Sequence, residues 1–547
     1  MRIALAQLNY KVGDFTYNKE KIIQHILKAK KQKADIIVFS ELSVCGYPPL
    51  DFLENKDFIH RSEETVLEIA KECKGITAII GAPQINTASK GKKLFNTAFV
   101  LSEGKIHDSV NKTLLPTYDV FDEYRYFEPN TVFKTIQIKD KTIALTVCED
   151  LWDDQPVENS FSKSKLYKTS PLEEIKENYD IIINIAASPF SRKQEGTRKK
   201  VLIENAIKYK RPLVYVNQTG ANTNIIFDGE SMIIGPKGNL IAELNTLEED
   251  FYIYDTENEH PVSKNNIEKE ALLYKAIKTG LKDYFQKMGF KKAIIGLSGG
   301  IDSALVAAIA VDAIGKENVE GILMPSEFSS EHSITDAKNL ADNLGIAYHI
   351  IPIKKIVKSF DESLSEMFTG TEFGIAEENI QARSRGVILM AYSNKFGNIV
   401  LNTSNKSEAA VGYSTLYGDM NGSLSILGDV YKTDVFKLAH YINRNQEIIP
   451  NNTIVKPPSA ELRPDQKDSD SLPDYEVLDQ ILYLFIEKKE SKKEIMAKGF
   501  DEKIVTEIIK MVNNNEYKRF QSPPILRIST KAFGSGRRMP LVAKYDF

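Results

Sequence analysis

The chain has 547 residues, which is more than a single hydrophobic core normally organises, so we expect at least two domains. Hydrophobic residues make up 42% of the chain and charged residues 27%, which is typical of a globular protein and argues against long disorder. The 71 Lys and Arg residues nearly balance the 75 Asp and Glu residues, so the composition shows no basic footprint for a nucleic-acid partner.

The chain contains three cysteines, Cys45, Cys73 and Cys148. They are too few and too scattered for a disulfide framework or a zinc site, so we expect a reducing compartment in which any one of them is available for catalysis. The first residues run into a polar turn, unlike a signal peptide, and no apolar run is long enough to span a bilayer. We therefore expect a cytoplasmic protein with no membrane partner.

The first half of the chain alternates short apolar runs with amphipathic segments. Helices are predicted at 19–31 and 63–73. The predicted strands are rich in Ile and Val, as expected of strands buried on both faces, and lie at 3–8, 35–39, 77–81, 97–101, 142–147, 180–185, 213–216 and 232–234. This pattern predicts a layered α/β sandwich.

Three motifs follow apolar strands in this half: FSELSVCGYPP with Glu41, NKTLLPTYDVFDEYRYF with Lys112, and VCEDLW with Cys148. A thiol near its reference pKa is a poor nucleophile at neutral pH and needs a base or a nearby cation. Glu41 can take the thiol proton, and Lys112 can stabilise a tetrahedral oxyanion together with a backbone N–H, for which we favour Glu149. Taken singly, Cys148 would be a buried small hydrophobe and the other two would be surface charges.

The three motifs in this order resemble the Glu-Lys-Cys triad of the nitrilase (carbon–nitrogen hydrolase) superfamily. The resemblance implies an α-β-β-α sandwich over residues 1–258 that releases ammonia from glutamine. It also implies that Glu123 orients the lysine, and that glutamine is bound by Tyr118, Ser188 and Gln194. Members of this superfamily usually associate, so we expect a homo-oligomer.

The polar stretch DTENEHPVSKNN at 255–266 is predicted to be a linker, and a second domain is expected over 265–547. Helices are predicted at 268–288, 303–314, 332–344 and 376–395, and strands at 293–297, 319–324, 348–353 and 399–402. The alternation predicts a Rossmann-like, doubly wound parallel sheet with a ligand at the carboxyl ends of its strands. The Pro-rich, charged stretch 456–475 is predicted to be an active-site lid.

A glycine-rich turn follows the first strand of this domain and opens a helix, which is the arrangement that presents backbone N–H groups to a phosphate. It lacks the Lys-Ser/Thr ending of a Walker loop. The hexapeptide SGGIDS resembles the loop of ATP pyrophosphatases, which hold the β,γ-diphosphate as a leaving group. This resemblance implies an ATP-binding segment made of Gly296, Leu297, Ser298, Gly299, Gly300, Ile301, Asp302 and Ser303. Asp302 is a candidate Mg²⁺ ligand.

Three further motifs, EENIQARSRG, LNTSNKSEAAVGYSTLYGD and KPPSAELRP, resemble the NAD synthetase family. The resemblance implies that ATP and Mg²⁺ are used to adenylate the nicotinate carboxylate of deamido-NAD, which ammonia then converts to the amide. It implies ATP contacts from Thr403, Lys432 and Ser459, dinucleotide contacts from Asn379, Glu408 and Lys518, and Mg²⁺ binding by Asp302 and Glu408. The expected partners are the small molecules glutamine, ATP and deamido-NAD.

Two other functions use parts of the same pattern. An RNA-modifying sulfurtransferase or lysidine-type synthetase also has an SGGxDS loop, but sulfur transfer usually needs cysteines in the ATP domain, which this one lacks, and RNA binding would predict a basic surface. An inactive amidase-like scaffold would not need Glu41, Lys112 and Cys148 together. Neither alternative accounts for both halves of the chain.

Overall fold

The computed structural model describes residues 1–154, 166–192, 194–257, 267–464 and 466–545, with the backbone alone at 194 and 195. The chain forms two compact units, Met1–Asn266 and Ile267–Phe547. The predicted linker falls at this boundary, and its residues 258–266 lie outside the described residues. No helix within the described ranges is long and apolar enough to cross a membrane.

Two six-stranded sheets form the centre of the first unit, in the orders β14-β1-β2-β3-β4-β5 and β13-β12-β9-β8-β7-β6, beside a two-stranded ribbon β10-β11. The strands are β1 Arg2–Gln7, β2 Ile36–Val38, β3 Thr77–Ile85, β4 Leu94–Ser102, β5 Lys105–Asn111, β6 Ile136–Ile138, β7 Lys141–Val147, β8 Ile181–Ala186, β9 Leu213–Asn217, β10 Thr219–Asn222, β11 Ile225–Asp228, β12 Met232–Ile234, β13 Leu240–Glu243 and β14 Asp250–Asp255. Alternate residues of β1 belong to different apolar clusters: Leu5 packs with β7 and β8 between the sheets, whereas Ala4 packs with the helices outside.

Four helices accompany these sheets: α1 Phe15–Lys31, α2 Lys56–Ala70, α3 Pro171–Glu174 and α4 Gln194–Tyr209. Helix α1 begins four residues before the predicted start because the Asp14 side chain accepts a hydrogen bond from the backbone N–H of Tyr17. Asn55 caps α2 in the same way, so α2 also begins earlier than predicted. Helices α1 and α2 cover one sheet, and α4 packs against the other. The predicted layered sandwich is confirmed.

The second unit is built on a five-stranded sheet in the order β17-β16-β15-β18-β19, in which every neighbouring pair is parallel. Its strands are β15 Ala293–Gly296, β16 Val319–Leu323, β17 Ala347–Ile350, β18 Ile399–Asn402 and β19 Leu424–Ser425. The chain moves outward from β15 to β17 and then returns to add β18 and β19 on the other side. The predicted doubly wound parallel sheet is therefore confirmed, with its switch point between β15 and β18.

Twelve helices of the described part of the second unit surround this sheet: α5 Lys269–Met288, α6 Ile301–Ile314, α7 Glu331–Leu344, α8 Lys354–Leu364, α9 Ile375–Phe396, α10 Lys406–Val411, α11 Lys432–Ile442, α12 Asn451–Val455, α13 Tyr475–Leu482, α14 Lys492–Met496, α15 Glu502–Asn514 and α16 Glu516–Arg519. Helices α10, α13 and α15 share a separate apolar cluster built around Leu478, Ile481 and Ile508.

Candidate active sites

The first site is a cluster of buried charges around Lys112, which follows β5. Its Nζ lies 2.7 Å from Oε1 of Glu41 and 2.8 Å from Oε2 of Glu123, and the three side chains are at most 5% exposed. Burial alone would lower the pKa of Lys112, but Glu123 and Glu41 hold that pKa well above its usual value. Lys112 is therefore an ammonium ion when the site is at rest.

Cys148 lies directly after β7, beside this cluster. Its backbone φ of +45° is in the left-handed region, which is unusual for a residue with a side chain, and it leads into the single turn Cys148–Leu151. Burial and the charge of Glu41 raise the pKa of the thiol well above its usual value, against the opposing effect of Lys112. The thiol is consequently protonated at rest and needs a base when it attacks.

The candidate base is the carboxylate of Glu41, whose orientation is fixed by three hydrogen-bond donors. Oε1 accepts hydrogen bonds from Lys112 at 2.7 Å and from Nδ2 of Asn96 at 2.7 Å. Oε2 accepts a bond from the backbone N–H of Ala187 at 3.0 Å. The carboxylate thus has one orientation, close enough to Cys148 for its charge to act on the thiol.

Asp150 connects the segments that carry the lysine and the cysteine. Its Oδ1 accepts the backbone N–H groups of Thr113 and Leu114, both at 2.9 Å, and its Oδ2 accepts that of Val147 at 3.0 Å. One buried side chain therefore fixes the chain after Lys112 to the strand that ends at the cysteine. Asp150 belongs to the VCEDLW motif but was not predicted to be a site residue.

One of the predicted glutamine-binding residues, Tyr118, contacts a second carboxylate, that of Glu149, together with Tyr167, which was not predicted. The hydroxyls of Tyr118 and Tyr167 donate to the same oxygen of Glu149, at 2.8 and 2.9 Å. Ser188 is buried, and its backbone N–H donates to Oδ1 of Asn217 at 2.9 Å. The side chain of Gln194 lies outside the described residues.

Two more buried residues contact the first site: Tyr47, which belongs to the FSELSVCGYPP motif, and Asn96, which lies in β4 outside the three motifs. Nδ2 of Asn96 reaches Glu123 at 3.4 Å as well as Glu41, and the hydroxyl of Tyr47 donates to Oε1 of Glu123 at 2.9 Å. These bonds orient Glu123 toward Lys112. Burial raises the pKa of Glu123, and Lys112 opposes that shift.

The second site is a cleft of about 310 Å³ at the carboxyl ends of β15, β16 and β18. Of the residues predicted to contact ATP or Mg²⁺, those that line it are Gly296, Leu297, Ser298, Gly300, Ile301, Asp302, Ser303, Thr403, Glu408, Lys432 and Ser459. Gly299 supports the loop from behind: its φ is +80°, and a Cβ there would lie 2.2 Å from the carbonyl oxygen of Ser333. Only glycine fits that position.

Two carboxylates and one ammonium group face each other in this cleft. Nζ of Lys432 pairs with Asp302 and with Oε1 of Glu408, the latter at 3.3 Å, and Nδ2 of Asn405 donates to Asp302 at 2.9 Å. Burial raises the pKa of Glu408, with Lys432 opposing that shift. Burial alone would lower the pKa of Lys432, but Asp302 and Glu408 raise it above its usual value.

The carboxylates of Asp302 and Glu408 fit a Mg²⁺ ion that is shared with a nucleotide. No group of three or more acidic, His or Cys side chains arranged to hold a metal occurs among the described residues. Mg²⁺ at nucleotide sites commonly takes one or two protein carboxylates and completes its shell with phosphate oxygens and water. Two carboxylates beside a phosphate-binding loop match that donor set.

The predicted lid 456–475 forms one wall of the cleft through residues that include Pro457, Ser459 and Leu462. Glu461 accepts hydrogen bonds from the hydroxyls of Ser330 and Ser333, at 2.8 and 2.7 Å, at the start of α7. Residue 465 lies outside the described residues. The wall is thus attached to α7 by side-chain contacts rather than by an apolar core.

Asn379 and Lys518, predicted to contact the dinucleotide, do not line the cleft. Asn379 accepts a bond from the hydroxyl of Thr415 at 2.7 Å, and Nζ of Lys518 donates to the carbonyl oxygens of Gly412 and Ser414, both at 2.8 Å. Both side chains therefore stabilise the segment 412–415, which contains Tyr413, and Tyr413 does line the cleft.

The chain resembles known proteins along its whole length. The family model for carbon-nitrogen hydrolase matches residues 2–157, and that for NAD synthase matches residues 273–522. The chain is 45% identical over 555 residues to a glutamine-dependent NAD(+) synthetase of Synechocystis sp., with 99% of each chain covered. A protein of the same name from Thermotoga maritima is 41% identical over 587 residues, covering 100% of this chain and 99% of the relative.

A solved structure shares this similarity. The glutamine-dependent NAD+ synthetase from Acinetobacter baumannii, in complex with adenosine diphosphate, is 38% identical with a TM-score of 0.76, and the match covers 99% of this chain and 98% of that one. The two resemblances inferred from the motifs are thereby confirmed.

Proposed function

The chain belongs to the family of glutamine-dependent NAD(+) synthetases, and from this premise we propose that it amidates deamido-NAD to NAD, with glutamine as nitrogen donor and ATP as co-substrate. The enzyme is a ligase. Residues 1–258 form the amidase domain, and residues 265–547 form the synthetase domain. The observation that carries the proposal is the presence in one chain of a buried Glu-Lys-Cys cluster and of a cleft lined by the SGGIDS loop.

In the amidase domain, Cys148 attacks the side-chain amide carbon of glutamine while Glu41 takes the thiol proton. The oxyanion of the tetrahedral intermediate is stabilised by the ammonium group of Lys112 and by the backbone N–H of Glu149. Collapse of this intermediate breaks the carbon–nitrogen bond, and the proton returns from Glu41 to the leaving ammonia. Water, activated by Glu41, then hydrolyses the thioester and releases glutamate.

Glutamine is held by Tyr118, Ser188 and Gln194 in this proposal. The buried carboxylate of Glu149, fixed by two tyrosine hydroxyls, supplies a negative charge that can attract the α-ammonium group of glutamine. Glu123 contacts Lys112 and not the substrate, so it acts by positioning the lysine.

In the synthetase domain, the loop 296–303 and the start of α6 hold the β,γ-diphosphate of ATP, and Lys432, Thr403 and Ser459 complete the ATP site. A carboxylate oxygen of deamido-NAD bonds to the α-phosphorus, and pyrophosphate leaves. Ammonia then attacks the activated carbonyl carbon, and AMP leaves. Activation is required because an amine does not attack a resonance-stabilised carboxylate.

The dinucleotide is bound by Asn379, Glu408 and Lys518 in this proposal. Asp302 and Glu408 would hold a Mg²⁺ ion, which when bound would supply positive charge to offset that of the departing pyrophosphate. Lys432 keeps both carboxylates in place around that position.

We further propose that the enzyme is a cytoplasmic homo-oligomer. All three cysteines are free and buried, as suits a reducing compartment. Helix α8 buries no side chain, and together with the flanks of α9 it exposes the large apolar residues Ile356, Phe360, Ile375 and Val387. A patch of this kind suits self-association. Light scattering coupled to gel filtration tests it, and a strictly monomeric protein would refute it.

The Cys148→Ala variant tests the proposed function directly. Glutamine-driven NAD synthesis should be lost, because no thioester can form, while synthesis from added ammonium salts should stay within about twofold of the unmodified enzyme. Cys73→Ala, which removes another buried thiol of the same unit, is the matched control and should keep both activities. Glutamine-driven synthesis that survives in Cys148→Ala would overturn the assignment.

A further inference from the structure

Three cationic side chains line the synthetase cleft: Arg385, Lys432 and Lys456. Lys432 is paired with Asp302 and Glu408, and Lys456 with Asp336 at 3.0 Å. Arg385 differs from both because, within the part of the chain that the structure describes, it forms no ion pair. The cleft therefore holds one cation whose charge is not met by the protein itself.

Arg385 is held in place from one side. Its Nε donates to the backbone carbonyl oxygen of Met324 at 3.0 Å, which fixes the plane of the guanidinium group over the end of β16. The four terminal N–H groups have no partner among the described residues. Burial lowers the pKa of Arg385 to about 10, although Glu461 and Asp419 act to raise it, so the cation is poorly compensated where it stands.

The topology places this group opposite the phosphate-binding loop. Helix α9 leads into β18, which is parallel to β15, so α9 runs back along the sheet and its earlier residues lie over the carboxyl ends of the strands. Arg385 lies one turn before Leu389, which reaches within 3.4 Å of a Cβ built at Gly296, the last residue of β15. The helices α6 and α9 flank opposite faces of a doubly wound sheet, so a ligand at the switch point meets the start of α6 on one side and Arg385 on the other.

We propose that Arg385 binds the α-phosphoryl group of ATP and keeps hold of it through adenylyl transfer. The proposal rests on the proposed function, in which the loop 296–303 and α6 hold the β- and γ-phosphates. The next phosphate along the chain is the α-phosphate, and a planar guanidinium group can pair with two of its oxygens at once. Arg385 thereby contacts the phosphoryl group that is transferred with the adenosine, whereas the loop 296–303 contacts the pyrophosphate that leaves.

The chemistry gives this contact a role in every step. When a carboxylate oxygen of deamido-NAD bonds to the α-phosphorus, the bond from that phosphorus to the oxygen shared with the β-phosphate breaks, and pyrophosphate leaves with the electron pair. The non-bridging oxygens of the α-phosphate gain negative charge during this exchange, which an adjacent cation stabilises. Ammonia later breaks the bond between the acyl carbon and the phosphate oxygen, and Arg385 still contacts the departing AMP.

Calorimetric titration of the full chain with ATP, AMP and pyrophosphate in the presence of Mg²⁺ tests the assignment. Arg385→Met should weaken the binding of ATP and of AMP about 10–100-fold, the usual effect of losing a charge-assisted hydrogen bond. The affinities of Arg385→Lys should lie between those of Arg385→Met and those of the unmodified chain. The dissociation constant of pyrophosphate should stay within about twofold of its value for the unmodified chain, because the contacts of pyrophosphate lie on the loop 296–303. Lys395→Met, an exposed lysine of the same helix, is the control and should change none of the three constants.

Exchange of labelled pyrophosphate into ATP supplies the kinetic readout, with deamido-NAD present and both nitrogen sources left out. Arg385→Met should slow this exchange at least about tenfold, and Arg385→Lys should restore part of it. The proposal would be refuted if AMP bound to Arg385→Met as tightly as to the unmodified chain. It would also be refuted if the affinity for pyrophosphate fell as much as the affinity for AMP. Absence of exchange in the unmodified enzyme would instead count against the proposed function, and the direct AMP titration would still decide the role of Arg385.

Discussion

Replacing Lys112 by methionine removes the cation that, among the described residues, pairs with both carboxylates of a buried cluster. Lys112 lies 2.7 Å from Glu41 and 2.8 Å from Glu123, and none of the three side chains is more than 5% exposed. Methionine has a similar volume and no charge, so it leaves both acids without a counter-ion. Asn96, Tyr47 and the Ala187 N–H still donate to them, which offsets part of the loss.

Breaking a buried ion pair by removing one partner costs about 3–5 kcal/mol of stability, because the remaining charge stays desolvated. We expect Lys112→Met to lower the free energy of unfolding of the first unit by about that amount. The exposed pair of Lys200 and Glu204, at 3.7 Å, provides the matched control. Lys200→Met should cost less than about 1 kcal/mol, because water screens that pair.

The single tryptophan of the chain makes this measurement specific. Trp152 lies four residues after Cys148 and packs against the core of the first unit, so its fluorescence reports the unfolding of that unit rather than of the whole chain. The free energies of unfolding of the unmodified chain, Lys112→Met and Lys200→Met should be compared from urea titrations that have the same dependence on denaturant concentration. If Lys112→Met lowered the free energy of unfolding by less than about 1 kcal/mol, Lys112 would not be needed to stabilise the two buried carboxylates, and the reasoning would be refuted.

The same variant makes a prediction about pH. Burial raises the pKa of Glu123 in the folded state, and removal of Lys112 takes away the group that opposes this shift. A carboxyl group with a raised folded pKa contributes stability that is present below its unfolded pKa, about 4.3, and is lost as the pH rises through the folded value. The difference in free energy of unfolding between the unmodified chain and Lys112→Met should therefore be smaller near pH 5 than near pH 8. A difference that grows on acidification would contradict the assignment.

Further changes test the synthetase site. Asp302→Ala should stop NAD synthesis with glutamine and with ammonium alike, because the diphosphate can no longer be held as a leaving group; a variant that remains active with ammonium would place the defect elsewhere. Cleavage within 456–475 by a protease should slow when ATP and deamido-NAD are present, and equal cleavage with and without them would remove the idea of a lid. Glu461→Gln should speed cleavage of the ligand-free enzyme, because the bonds to Ser330 and Ser333 become weaker without the negative charge.

Much of the fold could be predicted from the sequence because buried parallel strands leave a strong pattern. Runs such as 181–185 and 293–296 contain only large apolar or small residues apart from Asn184, and both are strands in the structure. The ribbon β10-β11 and the strand β5 were not predicted. Their sequences, TGAN, IIFD and KIHDSVN, contain polar or turn-forming residues that hide the alternation of a strand.

The site was predictable where chemistry requires particular residues in a compact motif. Glu41, Lys112 and Cys148 stand in three recognisable motifs, and the structure brings the lysine and Glu41 into contact across 71 positions of the chain. Asn96 and Tyr47 contact the same cluster. Tyr47 shares the motif of Glu41, but the motif alone does not show that its hydroxyl reaches Glu123, and a lone amide such as Asn96 inside a strand carries no signal before the fold is known. The role proposed for Arg385 was likewise hidden, although the residue belongs to the motif EENIQARSRG, because only the structure shows that it has no ionic partner among the described residues.

The proposed function requires that this one chain transfer nitrogen from glutamine to deamido-NAD with consumption of ATP. The most direct test incubates the purified enzyme with ATP, deamido-NAD and glutamine that is isotopically labelled at its side-chain amide, and identifies the products by mass spectrometry. We predict NAD that carries the label, with AMP, pyrophosphate and glutamate formed in step with it. ADP and phosphate in place of AMP and pyrophosphate, or NAD without the label, would contradict the account.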